Sequence, residues 1–346
     1  MSPRASDSES IEAPHPRDVL ALHGHADAEQ EMLHAYRGGR MPHAWLIGGS
    51  PGIGKATLAY RMARFVLAHP DPTAPDVQAA QTLAVAREHP VAHRITAQAH
   101  SDLLALERTI GDNGKLRTEI AVADVRRTIA FFGSTAGEGG WRICIVDSVD
   151  ELNRFGTNAL LKILEEPPAR SLLFLLSHAP GQVLPTIRSR CRRLLLRPLL
   201  PDDVARAVAE VAGRDATDEA LRRAAALADG SIARAIALVD GPSLALHDGV
   251  ATLLARLPDV DPRALHLLGD GLGRANEGAF ETFLTSVRDW LSTRLAYYER
   301  EPARMARVAS VWEKFNQAAA DVAVFNLERK PLVFSTFGML AELARG

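Results

Sequence analysis

"GGSPGIGKAT", residues 48–57, places Gly49, Gly54 and Lys55 at the spacing Gly-x4-Gly-Lys-Ser/Thr, the pattern of a loop that wraps phosphate. Glycines at 49, 52 and 54 let backbone N–H groups turn inward on phosphate oxygens, and Lys55 adds a point charge. The next residue should carry a hydroxyl for magnesium, and here it is Ala56; Thr57 supplies one a position late. A second acidic contact to the metal belongs at the tip of a neighbouring buried strand, where "WRICIVD" ends on Asp147. A plainer role for Asp147 is to cap the helix that follows. Ser148 stands where a hydrolysing site puts a glutamate to polarise water, with Asp150 and Glu151 a few residues on. Gly49, Gly52, Gly54, Lys55, Thr57 and Asp147 are the candidate nucleotide-binding set, for ATP or ADP with magnesium.

These residues need a scaffold, and the chain supplies one. "HAWLIGG" is an apolar run that enters the loop, and "KATLAYRMARFVLAH" after it is helix-forming, the strand–loop–helix order such a loop requires. "WRICIVD" and "SLLFLLS" (from Ser171) are two more continuous apolar runs, which predict a parallel sheet covered on both faces. Between the loop and the second of these strands lies a proline- and alanine-rich stretch, residues 69–90, which reads as an insert projecting from the core. After Pro198 come short helical pieces opened by Asp, Ser or Thr and separated by glycine. From Pro242 on, the pattern is helical throughout. Phe280, Phe283, Leu284, Val287, Trp290, Leu291 and Leu295 recur at helical spacing and form either an internal core or a face for partner helices. The expected organisation is a leader (1–17), an α/β P-loop domain (18–198), a helical lid (199–241) and an all-helical C-terminal domain (242–346).

Composition narrows the function classes. With 47% hydrophobic and 24% charged residues the chain is globular, and at 346 residues it exceeds one ordinary core. A formal net charge of -2 gives no global basic field for nucleic acid. The two cysteines, Cys144 and Cys191, suit neither a disulfide framework nor a four-cysteine zinc site, which predicts a reducing cytoplasm and no zinc. No run reaches the roughly 18–20 apolar residues of a membrane span, and the serine-rich acidic start lacks the apolar core of a secretory signal.

Two further segments make the resemblance specific. "NALLKILEEPP" (158–168) and "LPTIRSRC" (184–191), with its Ser189-Arg190-Cys191 triplet, resemble signature segments of the bacterial clamp-loader branch of the AAA+ ATPases. The resemblance runs from about Asp18 to Leu238, with "NLERKP" similar in the tail. It implies an AAA+ domain, a lid and a helical collar. It also implies that Arg190 is an arginine finger, a fixed planar cation lent to the ATP of a neighbouring subunit. The implied partners are ATP-hydrolysing motor subunits and a delta subunit in a hetero-pentamer, the sliding clamp, and primer-template DNA reached through the complex. The implied setting is the DNA polymerase III holoenzyme in replication. Many relatives carry a four-cysteine zinc module between loop and second strand, and this chain has none there.

The departures from the family pattern point one way. The γ-phosphate sensor position falls on Ala179 or His178, and the lid's sensor arginine on Ala233, with Arg234 one place late. Ala56, Ser148, Ala179 and Ala233 together remove groups that ligate, orient and stabilise, each worth orders of magnitude in rate. Arg190 is kept. The resemblance therefore implies a non-motor subunit whose own hydrolysis is weak or absent and whose loop is a retained scaffold. The alternatives are a motor subunit using Thr57 and Glu151 or Asp150 as replacements, and a small-molecule P-loop kinase, which would need none of the later segments. The arginines of "RSRCRRLLLR" (188–197) lack interleaved aromatics to stack bases, so little DNA binding is expected without partners.

Overall fold

The computed structural model describes residues 13–111, 114, 116–133, 140–239, 242–273 and 277–345. It falls into two compact units, Ala13–Ala235 and the chain from Ile236 on.

The first unit opens with α1 (Ala26–Arg37), β1 (Ala44–Gly48) and α2 (Lys55–Ala68). It continues through α3 (Pro75–Ala79), α4 (Pro90–Thr96), β2 (Leu103–Glu107), α5 (Val122–Gly133) and β3 (Arg142–Asp147). Then come α6 (Arg154–Glu165), β4 (Ser171–Ser177), α7 (Pro185–Arg188) and β5 (Arg192–Leu195). The helices α8 (Pro201–Ala212), α9 (Glu219–Leu227) and the first half of α10 (Ile232–Val239) close it, the rest of α10 being counted with the second unit. The five strands form one sheet in the order β2-β3-β4-β1-β5, with every pair parallel. Period-2 alternation sorts the strand residues into two layers. Trp45, Ile47, Ile143, Ile145, Leu172, Phe174 and Leu176 join the core beneath α1 and α2. Ala44, Leu46, Cys144, Val146, Leu173 and Leu175 join the core beneath α5 and α6. Both faces are buried, which is why these strands read as unbroken apolar runs.

Two strands have no such signature. β2 alternates buried and half-buried residues at the sheet's edge, and β5 begins with two exposed arginines. Three expectations are corrected. The leader was placed at 1–17; residues 1–12 lie outside the described residues, but His15 and Arg17 belong to the folded unit. His15 Nε2 lies 3.0 Å from Glu107 Oε2, and the Arg17 carbonyl accepts from Arg64 at 2.8 Å. The insert at 69–90 does not project: Val77 and Leu83 are fully buried in the main core. Finally, α8 starts on Pro201 with Leu200 before it and no side-chain cap; proline at the first position needs no N–H partner there.

The second unit contains α11 (Pro242–Ala255), α12 (Pro262–Gly271), α13 (Glu277–Tyr297), α14 (Pro302–Phe325) and α15 (Arg329–Arg345). The stripe on α13 is its core: Phe280, Phe283, Leu284, Val287 and Leu291 are buried, with Trp290 and Leu295 packed against them. Phe283 meets Phe315 of α14 edge to face at 6.4 Å between centroids. Of the two readings of that stripe, the internal one is correct. The exposed apolar residues of this unit include Val324, Phe325 and Leu327, at the end of α14 and just past it.

Candidate functional site

The phosphate-loop residues lie between the end of β1 and the start of α2. Gly49, Gly52 and Gly54 take positive φ of 150°, 73° and 100°. The constraint is tightest at Gly52. A Cβ there would run into Ser231 Oγ and come within 2.9 Å of the Ala233 Cβ, because the start of α10 rests on the loop. The Ile232 N–H donates to the Gly52 carbonyl at 2.9 Å. His25, buried just before α1, donates from Nε2 to the Ile53 carbonyl at 2.7 Å. Burial lowers its pKa, and a neutral ring keeps that N–H bond without an uncompensated charge. Nothing in the sequence marked His25, because its partner is a backbone carbonyl remote in the chain.

Lys55 is buried and turned onto its own loop. Its ammonium donates to the Gly49 and Ser50 carbonyls, each at 2.7 Å, and to His178 Nδ1 at 3.0 Å. Burial lowers its pKa to about 8, against the pull of Asp147 and Asp150. The acceptor role of Nδ1 requires a neutral His178, and burial together with the Lys55 charge lowers the His178 pKa accordingly. His178, one of the two residues at the expected sensor position, is thus a partner of Lys55.

The lowered lysine pKa has a measurable consequence. The unfolded chain, with a lysine near its ordinary value of 10.5, binds more protons than the folded one between about pH 8 and 10.5. Stability therefore rises with pH across that window. Denaturant melts at pH 7 and pH 10 should show wild type gaining on Lys55→Met over this interval. A constant difference would mean that burial does not disfavour the lysine charge.

Of the acidic residues beside the loop, Asp150 and Glu151 are committed to structure. Asp147 ends β3 opposite Glu107 of β2, and burial raises its pKa, while the Lys55 charge opposes the rise. It does not cap α6; Asn153 does, accepting from Phe155 and Gly156 N–H groups at 3.1 and 3.0 Å. Asp150 and Glu151 lie in a 3-10 turn (Val149–Glu151) ahead of α6. Asp150 accepts from Ser177 Oγ at 2.8 Å and from the His178 N–H at 2.5 Å, which pins the end of β4. Glu151 pairs with Arg108 at 3.0 Å. Neither replacement base is free of a structural partner. Ser148 Oγ is buried with no hydrogen-bond partner.

The loop's backbone and Lys55 fit a nucleotide's phosphates in residue type, but the hydrolytic set does not fit. Ala56 offers no side-chain ligand oxygen, Ser148 no carboxylate, and Asp150 and Glu151 are engaged. No cluster of three or more His, Cys, Asp or Glu able to hold a metal ion occurs among the described residues. No helix among them is long and apolar enough to cross a membrane.

Arg190 lies in the turn after α7, about a third exposed. Its guanidinium faces Glu165 at the end of α6, with N···O 2.9 Å. Its basic neighbours are also engaged. Arg188 donates to the Gly181 carbonyl, and Arg192 pairs with Glu31 at 2.8 Å and lies 5.2 Å over the Trp45 ring.

The family described as "DNA polymerase III, delta subunit" matches residues 24–200. The chain is 34% identical over 164 residues to DNA polymerase III subunit delta' of Pseudomonas aeruginosa, covering 47% of this chain and 46% of the relative. It is 31% identical over 238 residues to DNA polymerase III subunit delta' of Escherichia coli K12, covering 65% and 63%. It is also 26% identical over 314 residues to DNA polymerase III subunit tau of Salmonella typhimurium, covering 84% and 46%. The chain thus spans from about half to under two thirds of the length of these relatives.

Proposed function

Because this chain belongs to the DNA polymerase III delta subunit family, we propose that it is a delta-prime-like, non-motor subunit of a clamp-loader complex. In this role it helps load the sliding clamp on primed DNA and lends Arg190 to the ATP site of an adjacent motor subunit. The observation that carries the reading is the contrast between its two sets of groups. Lys55 is buried and turned onto its own loop, with Asp150 and Glu151 bracing Ser177 and Arg108, whereas Arg190, although paired with Glu165, keeps about a third of its side chain exposed.

The parts divide accordingly. In this reading residues 13–198 would be the AAA+ P-loop domain, His15 and Arg17 included, 199–241 the lid and 242–346 a collar. The α13 stripe is spent on its own core, so the collar's contacts with partner helices fall to exposed residues such as Val324, Phe325 and Leu327. Gly49, Gly52, Gly54 and Lys55 would hold the phosphates of ATP or ADP, with Thr57 and Asp147 as the remaining candidates on the magnesium side. Bound nucleotide would supply charge that braces the loop, not a reacting group. A motor role draws support from the tau relative, whose similarity covers 84% of the chain, but it lacks a disengaged base.

The test is ATP turnover by the isolated chain and by a complex rebuilt with motor subunits, delta subunit, clamp and primed DNA. The isolated chain should be silent, and Lys55→Ala should leave turnover by the complex within about twofold, since a uniform structural contact contributes nothing to another subunit's transition state. Turnover by the isolated chain that Lys55→Ala abolishes would establish the motor role instead.

A further inference from the structure

Arg190 is held in place by its own subunit. One terminal nitrogen lies 2.9 Å from Glu165 Oε1, and the other donates to the Thr186 carbonyl at 2.9 Å and reaches Ser189 Oγ at 3.5 Å. Both ends of the planar fork that would grip a phosphate are thus taken by oxygen atoms of α6, α7 and the turn after it. Glu165 is the last residue of α6, with its side chain half exposed. A carboxylate presents to a guanidinium the same paired, negatively charged oxygens that a phosphate does.

We propose that Glu165 is a built-in competitor for the finger, a carboxylate that holds Arg190 against α6 until the triphosphate of a neighbouring subunit displaces it. This rests on the trans role of Arg190 proposed above. The chemistry makes the exchange easy in one direction. A nucleotide triphosphate brings more negative charge to Arg190 than one carboxylate does, and a half-exposed Glu165, once released, is solvated at little cost. The Thr186 carbonyl and Ser189 hydroxyl are neutral, so Glu165 is the partner whose charge competes directly with the phosphate and would be repelled by it on approach. A nucleotide diphosphate lacks the terminal phosphoryl group and should leave the contact intact. The pair therefore makes the finger respond to the state of the neighbour's nucleotide.

The experiment measures binding of ATPγS and of ADP to the adjacent motor subunit in the full complex, with wild type, Glu165→Gln, Arg190→Ala and the double variant. Glu166→Gln serves as a charge-matched control. Glu165→Gln should tighten ATPγS by about two- to fivefold, the span an exposed ion pair provides. It should leave ADP unchanged, and it should do nothing in the Arg190→Ala background. Weaker ATPγS binding, an equal effect on ADP, no effect at all, or a gain that persists without Arg190 would each overturn the competitor. If Arg190→Ala weakens ATPγS while Glu165→Gln gives no gain, the finger stands and only the competitor falls. If Arg190→Ala leaves ATPγS binding unchanged, Arg190 does not grip the bound triphosphate and the competitor falls, while the trans role itself is decided by single-turnover hydrolysis.

Discussion

With Arg190 in the proposed trans role, replacing it by alanine should lower ATP hydrolysis at the adjoining motor site by about 10³-fold, the lower end of what a finger supplied in trans contributes. Turnover by the complex then falls by the share of that site, which single-turnover measurements resolve from the remaining sites. The size of the effect follows from where charge develops: a planar cation near the transferred phosphoryl group stabilises the transition state more than bound ATP. Arg190→Lys should recover little, because an ammonium cannot make the paired contacts of the fork. The fold should not suffer. The contact with Glu165 is partly exposed and such pairs are worth less than about 1 kcal/mol, so melting curves of the variant and wild type should nearly coincide. Unchanged single-turnover rates with Arg190→Ala in an intact complex would remove the finger.

The sequence made the P-loop and its flanking elements readable because local physics fixes them: an apolar strand, glycines at positions of positive φ, and a helix that begins on Lys55. β3 and β4 were readable for the same reason, as runs buried on both faces. β2 and β5 were not. An edge strand with half-buried alternation and a strand that opens on two exposed arginines carry little apolar signal. The α13 stripe announced an apolar face but not what covers it, since helical spacing says nothing about the partner. Site residues divided along the same line. Lys55 and Asp147 stand at motif positions, whereas the tie of Asp150 to Ser177 and the bond from His25 to Ile53 depend on long-range folding. Residues 69–90 were misread because proline and alanine dominate their composition, while Val77 and Leu83, two isolated apolar side chains, reach the core.

That stretch is anchored by a buried carboxylate, and removing it should be costly. Glu29 of α1 is 6% exposed and accepts from Arg61 Nε at 2.5 Å and from the Leu83 N–H at 2.9 Å. One side chain therefore ties α1 to α2 and to the 69–90 segment. Glu29→Ala leaves a buried guanidinium without its counter-charge and a buried N–H without its acceptor. Breaking a buried pair from one side costs about 3–5 kcal/mol, and the further bond from Arg61 to the Leu20 carbonyl favours the lower figure. For a unit of this size the expected loss is about 10 °C in Tm. Glu29→Gln retains an acceptor for Leu83 but no charge for Arg61, so it should fall between wild type and Glu29→Ala. Limited proteolysis gives an independent readout: with Glu29→Ala, cleavage within residues 69–90 should precede cleavage elsewhere in the first unit. Equal melting of all three proteins, with no change in the first cleavage site, would mean that the segment is held by Val77 and Leu83 alone. The apolar burial and the carboxylate anchor act on the same loop, and the isosteric Glu29→Gln weakens the anchor without removing buried volume, which is why Glu29 separates the two contributions.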